Sequence, residues 1–285
     1  MTERSAVVEK HSAFFAYRGR KIAFHFYTKQ QANVPVDSVI FLGTGQVGKI
    51  PRWVASNAPP GVAVVEGLPH WESDPSGRDL VEFSHLYTQA AQAAVLKELQ
   101  RSSMHIIGSS QAAPGIIWLA NNHPEQVQNI ALVLPMGLNT AHFGSDDKAK
   151  FKELRKRSLQ SMMQKDQSIF GDIRNAYISL NLLRIILAGI NDGSTVEKYT
   201  VGISQDMTAA MRQLVASQKH LGRKLTVYVG AQDKVFPPSE VRRTLNDADI
   251  HDVTIVTVPN ISHGSLATRK HVSFLAQVIG DIRTQ

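Results

Sequence analysis

Met104-His105-Ile106-Ile107-Gly108-Ser109-Ser110-Gln111-Ala112 is the stretch of sequence that decides the fold. Its first four residues form a short, mainly apolar run, which predicts a buried strand, and a helical pattern follows as far as residue 121. A strand that turns directly into a helix crowds the backbone, so small residues are needed two positions before and after the central residue of the turn. Gly108 and Ala112 meet this need around Ser110, which predicts that the Ser110 side chain projects from a sharp turn. A serine that only caps the following helix is the structural alternative.

Ser110 would need a base to act as a nucleophile, because a hydroxyl reacts poorly until its proton is removed. The predicted strand 253–258 leads to His263, directly before the last predicted helix, and the predicted strand 225–229 leads to Asp233. His263 would take the proton, and Asp233 would orient the histidine and stabilise its charged form. All three residues follow the carboxyl ends of predicted parallel strands, at the edge where open α/β sheets bind ligands.

Three further aspartates, Asp247, Asp249 and Asp252, compete with Asp233 for the role of orienting acid. They precede the predicted strand 253–258 and do not follow a strand, so we expect them in a solvated loop. Asp233 is therefore the predicted acid.

The rest of the chain alternates short apolar runs with helical patterns, which predicts a mostly parallel sheet flanked by helices. Residues 12–17 and 21–27 predict an opening hairpin joined by Arg18-Gly19-Arg20, and further strands are predicted at 38–42, 62–66 and 130–134. Between 136 and 221 no good strand is found, and helical patterns lie near 146–166, 169–188 and 196–219. The predicted organisation is a core of residues 1–136 and 221–285, interrupted by a helical insertion over 137–220.

This order of elements and polar residues resembles the α/β-hydrolase superfamily, in its serine-nucleophile branch with a helical cap, and the resemblance covers nearly the whole chain. It implies an eight-stranded, mostly parallel sheet with the insertion as the cap. It also implies that Ser110 is the nucleophile in a turn called the nucleophile elbow, that His263 is the general base and that Asp233 is the orienting acid. Ala112 stands where the usual elbow motif has glycine, which is a small departure.

The resemblance further implies an oxyanion hole made of two backbone N–H groups. One belongs to Gln111, which follows the nucleophile, and the other to Gly45 in the loop after the third strand, with Thr44 as a less favoured register. Gly43-Thr44 takes the place of the His-Gly pair that the superfamily often has in that loop. The implied reaction is hydrolysis of a small acyl substrate, an ester or thioester first, with an amide or a carbon–carbon bond beside a ketone also open. It needs no metal or organic cofactor. Relatives that open epoxides or remove halides use an aspartate nucleophile, so the serine disfavours those reactions.

Gly43-Thr44-Gly45-Gln46-Val47-Gly48 also fits the dinucleotide-binding pattern G-x-G-x-x-G, and Glu66 ends the next predicted strand where a ribose-binding acid would lie. An NAD(P)-binding oxidoreductase is therefore a competing hypothesis. It is disfavoured because a hairpin precedes the pattern and because it leaves the placement of Ser110, Asp233 and His263 to coincidence. A noncatalytic ligand-binding receptor on the same fold is the third hypothesis.

The composition is typical of a globular protein, with 43% hydrophobic and 19% charged residues. The formal charge is +7, but the basic residues are scattered, so we expect no nucleic-acid partner. The absence of cysteine excludes disulfides and a cysteine nucleophile. No apolar run reaches the roughly 18 residues of a membrane span, and the first residues lack the apolar core of a signal peptide, so a cytoplasmic location is expected. The sequence contains no indication of oligomeric state.

Overall fold

The computed structural model describes residues 7–17, 20–29, 34–43, 49–67, 85–101, 103–139, 142–143, 146–162, 206–263 and 269–284. These residues form one sheet of eight strands in the order β1-β2-β4-β3-β5-β6-β7-β8. Only β2 runs antiparallel to its neighbours, and the other pairs are parallel. The strands are β1 (Val8–Tyr17), β2 (Arg20–Lys29), β3 (Ser38–Phe41), β4 (Val62–Val65), β5 (Met104–Ser109), β6 (Val127–Val133), β7 (Leu225–Gly230) and β8 (Thr254–Val258).

The opening hairpin is longer than its sequence predicts. β1 and β2 pair residue for residue from Val8 opposite Lys29 to Tyr17 opposite Arg20. Arg20 therefore belongs to β2, so its predicted place in the connection was wrong. The ladder hydrogen bonds extend both strands past the apolar residues that the sequence pattern detects, because pairing depends on the backbone and not on hydropathy.

Helices cover both faces of the sheet. They are α1 (Lys49–Asn57), α2 (His85–Glu98), α3 (Ala112–Asn122), α4 (Asp147–Met162), α5 (Thr208–His220), α6 (Pro238–Asp247) and α7 (Arg269–Thr284). Alternate residues of each central strand pack on opposite faces, as the pleat requires. On one face Val39 and Phe41 pack into a cluster with residues of α2, α3, α5 and α6. On the other, Ile40 and Leu42 pack with residues of α1 and α7, so the core has two apolar layers around a buried sheet.

The order of the strands determines where the candidate site lies on the sheet. The chain passes from β3 to β4 on one side and then returns to form β5 on the other side of β3. The loops after β3 and β5 therefore diverge at a topological switch point, where a crevice forms beyond the carboxyl ends of the strands. Ser110 directly follows β5 at this point.

The described part of the predicted insertion consists of its two ends, with α4 following β6 and α5 preceding β7. The predicted helix over 169–188 lies outside the described residues, and the division into core and cap stays a prediction. Among the described residues, no helix is long and apolar enough to cross a membrane.

Candidate active site

The turn after β5 holds Ser110 in a backbone conformation that L-residues rarely adopt, with a φ of 53°. Three hydrogen bonds fix it there: the Ser110 N–H donates to the Val133 carbonyl at 2.8 Å, and the Ser110 carbonyl accepts from Ala113 at 3.2 Å and Met136 at 3.1 Å. A non-glycine residue in this region is strained, and such strain is typical of functional turns. The sharp turn that the sequence predicts around Ser110 is therefore present.

Gly108 shows why a small residue is needed before the turn. A Cβ atom there would lie 2.3 Å from the Ile116 Cδ1 atom and 3.4 Å from the Ala113 Cα atom, both in α3. The glycine lets α3 pack closely against β5. Ala112 stands at the other small position with only 6% of its surface exposed, so the methyl group is accommodated in the core.

The structure brings together the three side chains that the sequence predicts to act together. The Ser110 Oγ lies 2.9 Å from the His263 Nε2, and the His263 Nδ1 lies 3.2 Å from the Asp233 Oδ2. With its proton on Nδ1, the neutral imidazole donates to Asp233 and leaves Nε2 free to accept the Ser110 proton. The Asp233 side chain is completely buried, the His263 side chain is 19% exposed and Ser110 is 7% exposed, so the histidine is the most accessible of the three residues.

Asp233 is held by its own loop. Its Oδ1 accepts the backbone N–H groups of Val235 at 2.8 Å and Phe236 at 2.9 Å, while its Oδ2 faces His263. Three donors around one buried carboxylate compensate for its removal from water. The Phe236 ring also meets the His263 ring edge-on, with centroids 4.9 Å apart at 76°. The same short loop therefore orients the acid and packs against the base.

The loops that carry Asp233 and His263 are joined to each other by backbone hydrogen bonds. The Ala231 N–H donates to the Val258 carbonyl at 2.9 Å, and the Gln232 N–H donates to the Ile261 carbonyl at 3.1 Å. These bonds extend the pairing of β7 and β8 beyond the strand ends. They keep the acid and the histidine in register without a contribution from either side chain.

The structure describes one of the two candidate oxyanion donors. Gln111 is buried and directly precedes α3, and its backbone N–H donates to no acceptor among the described residues. Gly45 and Thr44 lie outside the described residues. Gly43, just before them, is so close to the elbow that a Cβ atom on it would stand 3.1 Å from the Ser110 Cβ and 3.3 Å from the Ser109 carbonyl oxygen. The loop after β3 therefore begins against the candidate nucleophile.

The competing aspartates lie elsewhere. Asp249 binds His251 at 2.9 Å, and Asp252 binds Lys219 at 2.7 Å, both on the surface. The prediction of a loop position was wrong for Asp247, which is the last residue of α6. Proline at the first helical turn and Glu240 near the positive end of the helix dipole favour α6, and these signals were present in the sequence.

Two residues near the histidine were missed by sequence reasoning. The sequence assigns no role to Phe236, although its ring packs against the His263 ring. His271, in the first turn of α7, is completely buried, and neither of its ring nitrogens has a hydrogen-bond partner among the described residues. Burial, and then the neighbouring His263, lower the pKa of His271 to about 3, so it is neutral in the folded protein. The helical period places His271 on the same face of α7 as the buried Phe274 and Leu275, so a signal of its burial was present in the sequence.

The dinucleotide-binding pattern begins with Gly43, beside the candidate nucleophile. Residues 44–48 lie outside the described residues, while Gly43 abuts Ser110 and Glu66 is 5% exposed after β4.

Among the described residues, no cluster of three or more histidine, aspartate or glutamate side chains could hold a metal ion.

Comparison with known proteins identifies the fold. No family model matches the sequence, and no curated protein matches it significantly. Solved structures do match over nearly the whole chain. A haloalkane dehalogenase from Bradyrhizobium elkani USDA94 aligns with a TM-score of 0.59 and 13% identity, covering 98% of this chain and 99% of that one. Est816, described as an N-acyl homoserine lactone degrading enzyme, aligns with a TM-score of 0.65 and 14% identity over 94% of this chain and 99% of its own.

A structure from work on carboxylesterases of the thaumarchaeon Nitrososphaera gargenis aligns with a TM-score of 0.60 and 15% identity, covering 95% of this chain and 99% of that one. At these identities the likeness concerns the fold alone. The eight-stranded sheet and these neighbours confirm the predicted fold class: the chain has the α/β-hydrolase fold.

Proposed function

We propose that this protein is a serine hydrolase that cleaves a carboxylic ester through an acyl-enzyme formed on Ser110. The observation that carries the proposal is the continuous hydrogen-bonded chain from the Ser110 Oγ to the His263 Nε2, and from the His263 Nδ1 to the Asp233 Oδ2. Each of these residues follows a different strand at the same edge of the sheet. Serine, a free imidazole nitrogen and a buried carboxylate in this order are the groups that acyl transfer requires.

In the first step the Ser110 Oγ attacks the substrate carbonyl carbon while its proton passes to the His263 Nε2. The carbonyl π-bond becomes a lone pair on oxygen, and the backbone N–H of Gln111 donates to that oxyanion. Gly45 is the proposed second donor. Collapse of the intermediate expels the alcohol, which takes the proton from His263, and leaves the acyl group on Ser110. Asp233 stabilises the imidazolium that exists between the two proton transfers.

In the second step water replaces the alcohol. The water oxygen attacks the acyl carbon while His263 removes a proton from the water. The second oxyanion is held by the same donors. The acid then leaves, and the proton returns from His263 to the Ser110 Oγ. The chain's own residues supply the nucleophile, the base and the oxyanion donor for both steps.

An ester is the proposed substrate class because an alcohol is a better leaving group than an amine, so the same Ser110 and His263 chemistry cleaves an ester more readily than an amide. A thioester fits the same reaction. Two of the structural neighbours are described by their esterase or lactone-degrading activity, which supports this choice by likeness of fold. Ser110 at the elbow disfavours dehalogenation, since the superfamily uses aspartate there for that reaction. The insertion over 137–220 is proposed to form the cap above the site.

The experiment that tests the proposal is covalent labelling with a fluorophosphonate, followed by identification of the modified peptide. We expect labelling of Ser110 in the wild type and none in Ser110→Ala, together with a loss of p-nitrophenyl acetate turnover on the order of 10³-fold or more. Ser109→Ala is the matched control, because the Ser109 hydroxyl is buried and has no hydrogen-bond partner among the described residues. Ser109→Ala should keep both the fluorophosphonate labelling and the turnover of p-nitrophenyl acetate. Equal labelling of wild type and Ser110→Ala would refute the proposal.

The same preparation separates the competing hypotheses. If the loop after β3 bound a pyrophosphate, millimolar NAD or NADP would raise the melting temperature by mass action. We expect no such shift. A nucleotide-dependent shift without fluorophosphonate labelling would instead favour the oxidoreductase. Absence of both responses, together with tight binding of a small ligand, would favour a receptor.

A further inference from the structure

Arg157 lies on α4, in the predicted insertion, and its guanidinium contacts residues from several parts of the chain. It forms a two-pronged ion pair with Glu240 on α6, with the Arg157 Nη1 at 2.7 Å from Oε2 and Nη2 at 3.1 Å from Oε1. Its Nε donates to Glu153, one turn earlier on α4, at 2.9 Å. Arg157 and Glu240 are separated by 83 residues in sequence, so this pair joins two distant parts of the chain.

The Arg157–Glu240 pair is largely shielded from solvent, with side chains 13% and 17% exposed. Burial alone would lower the pKa of Arg157, but its hydrogen bonds to Glu240 and Glu153 raise it, so the arginine stays charged. The guanidinium also lies 4.7 Å from the centre of the Phe143 ring. The planar guanidinium, called the fork below, binds the Glu240 carboxylate with two hydrogen bonds and stacks on an aromatic ring. These contacts fix the orientation of the two side chains as well as the distance between them.

The contacts of Arg157 continue into the candidate active site. Its Nη1 donates to the Val235 carbonyl at 3.4 Å, and Val235 is one of the two residues whose N–H groups hold Asp233. The Phe143 ring beneath the guanidinium packs on Phe236, with centroids 6.0 Å apart. Phe236 in turn supplies the other N–H to Asp233 and packs on His263. Both residues that orient the acid are therefore supported from α4.

We propose that Arg157 is a positioning residue for the Asp233–His263 pair, holding the loop of residues 233–237 between α4 and α6. This inference rests on the proposed function. Loss of the fork would free the Val235 carbonyl and the Phe143 ring, and the Asp233 carboxylate would lose its fixed orientation toward His263. Misplacement of a catalytic group by about 1 Å reduces the rate by up to about 10²-fold, so we expect a loss of about 10- to 100-fold.

The test compares Arg157→Met with Lys156→Met. Lys156 is the adjacent cation on α4, is 61% exposed and binds only Glu153 among the described residues, so its removal matches the loss of charge and leaves the loop untouched. The rate constant of fluorophosphonate labelling, kcat and KM for p-nitrophenyl acetate, and the melting temperature are measured for each variant. Rates are taken well below each melting temperature, where a purely structural loss leaves the labelling rate of folded molecules unchanged.

We expect Arg157→Met to lower the labelling rate constant and kcat by about 10- to 100-fold with KM within about threefold, and Lys156→Met to stay within about twofold of wild type. Arg157→Lys, which keeps the charge but not the fork, should fall between them. A wild-type labelling rate in folded Arg157→Met, even with a lower melting temperature, would overturn the inference. If Arg157→Met does not fold, the Arg157→Lys rate decides in the same way. An unlabelled wild type would refute the proposed function instead.

Discussion

Asp233→Asn tests the wiring of the candidate triad because the structure dictates how the new amide would lie. The Asp233 Oδ1 accepts two backbone N–H groups, from Val235 and Phe236, and the Oδ2 faces the His263 Nδ1. In the variant the amide oxygen keeps the two N–H donors, so the NH2 group must face His263. It then donates to Nδ1, which moves the imidazole proton to Nε2 and removes the acceptor that Ser110 needs.

The expected loss of activity follows from the free energy that the flipped orientation of the amide would cost. Turning the amide over would place its NH2 group against two buried N–H donors and leave both unsatisfied, at about 1–3 kcal/mol each. The flipped form is therefore disfavoured by about 2–6 kcal/mol and cannot restore the correct tautomer to a useful extent. The equivalent change in a serine protease lowers turnover by about 10⁴, and we expect a loss of about 10²–10⁴-fold here. The melting temperature should change little, because size and burial are kept.

The assay is the fluorophosphonate labelling rate and the turnover of p-nitrophenyl acetate at pH 7, with Asp247→Asn and Asp249→Asn as matched controls. In the described part of the chain the Asp249 carboxylate binds only His251, on the surface, and Asp247 ends α6, so each control should remain within a few fold of wild type. Asp233→Asn activity within fivefold of wild type would refute the reasoning. A collapse in either control would assign the acid to a different loop.

Two further predictions use the glycines and the buried histidine. Gly43→Ala would place a Cβ 3.1 Å from the Ser110 Cβ, so we expect about a tenfold loss of activity. Gly280→Ala, at an exposed position of α7 where a Cβ would meet nothing within 4 Å, should keep activity and gain up to about 1 kcal/mol of stability. The reverse ranking would contradict the packing argument. His271 is neutral when folded, because its pKa falls from 6.5 to about 3, so its contribution to stability is full above pH 6.5 and is lost as the unfolded chain takes up a proton at lower pH. Urea unfolding of wild type and His271→Met at pH 7 and pH 5 should show wild type losing about 2 kcal/mol relative to the variant, and an unchanged difference would show that His271 takes up its proton in the folded protein.

Much of the fold was predictable because its elements are defined by local signals. Every predicted strand is present, and α3 begins directly after the elbow as expected. The failures have physical causes. Arg20 joins β2 through ladder hydrogen bonds that no hydropathy pattern contains, and α6 was overlooked because its apolar side, Val241 and Leu245, is short. The helices expected over 169–188, the division into core and cap, and the cytoplasmic location stay predictions.

The candidate site, like the fold, was predictable from the sequence only in part. The sequence alone determined which three residues follow strand ends at one edge, since strand and turn signals are local and parallel strands share an edge. Only the tertiary structure decided their distances, the two N–H groups that hold Asp233, and the chain of contacts from Arg157 through Phe143 and Phe236 to His263. Periodicity shows that a side chain is buried but not which distant residue it meets. Arg157 and Glu240 bind each other across 83 residues because the sheet brings α4 and α6 together, and that proximity exists only in the folded chain.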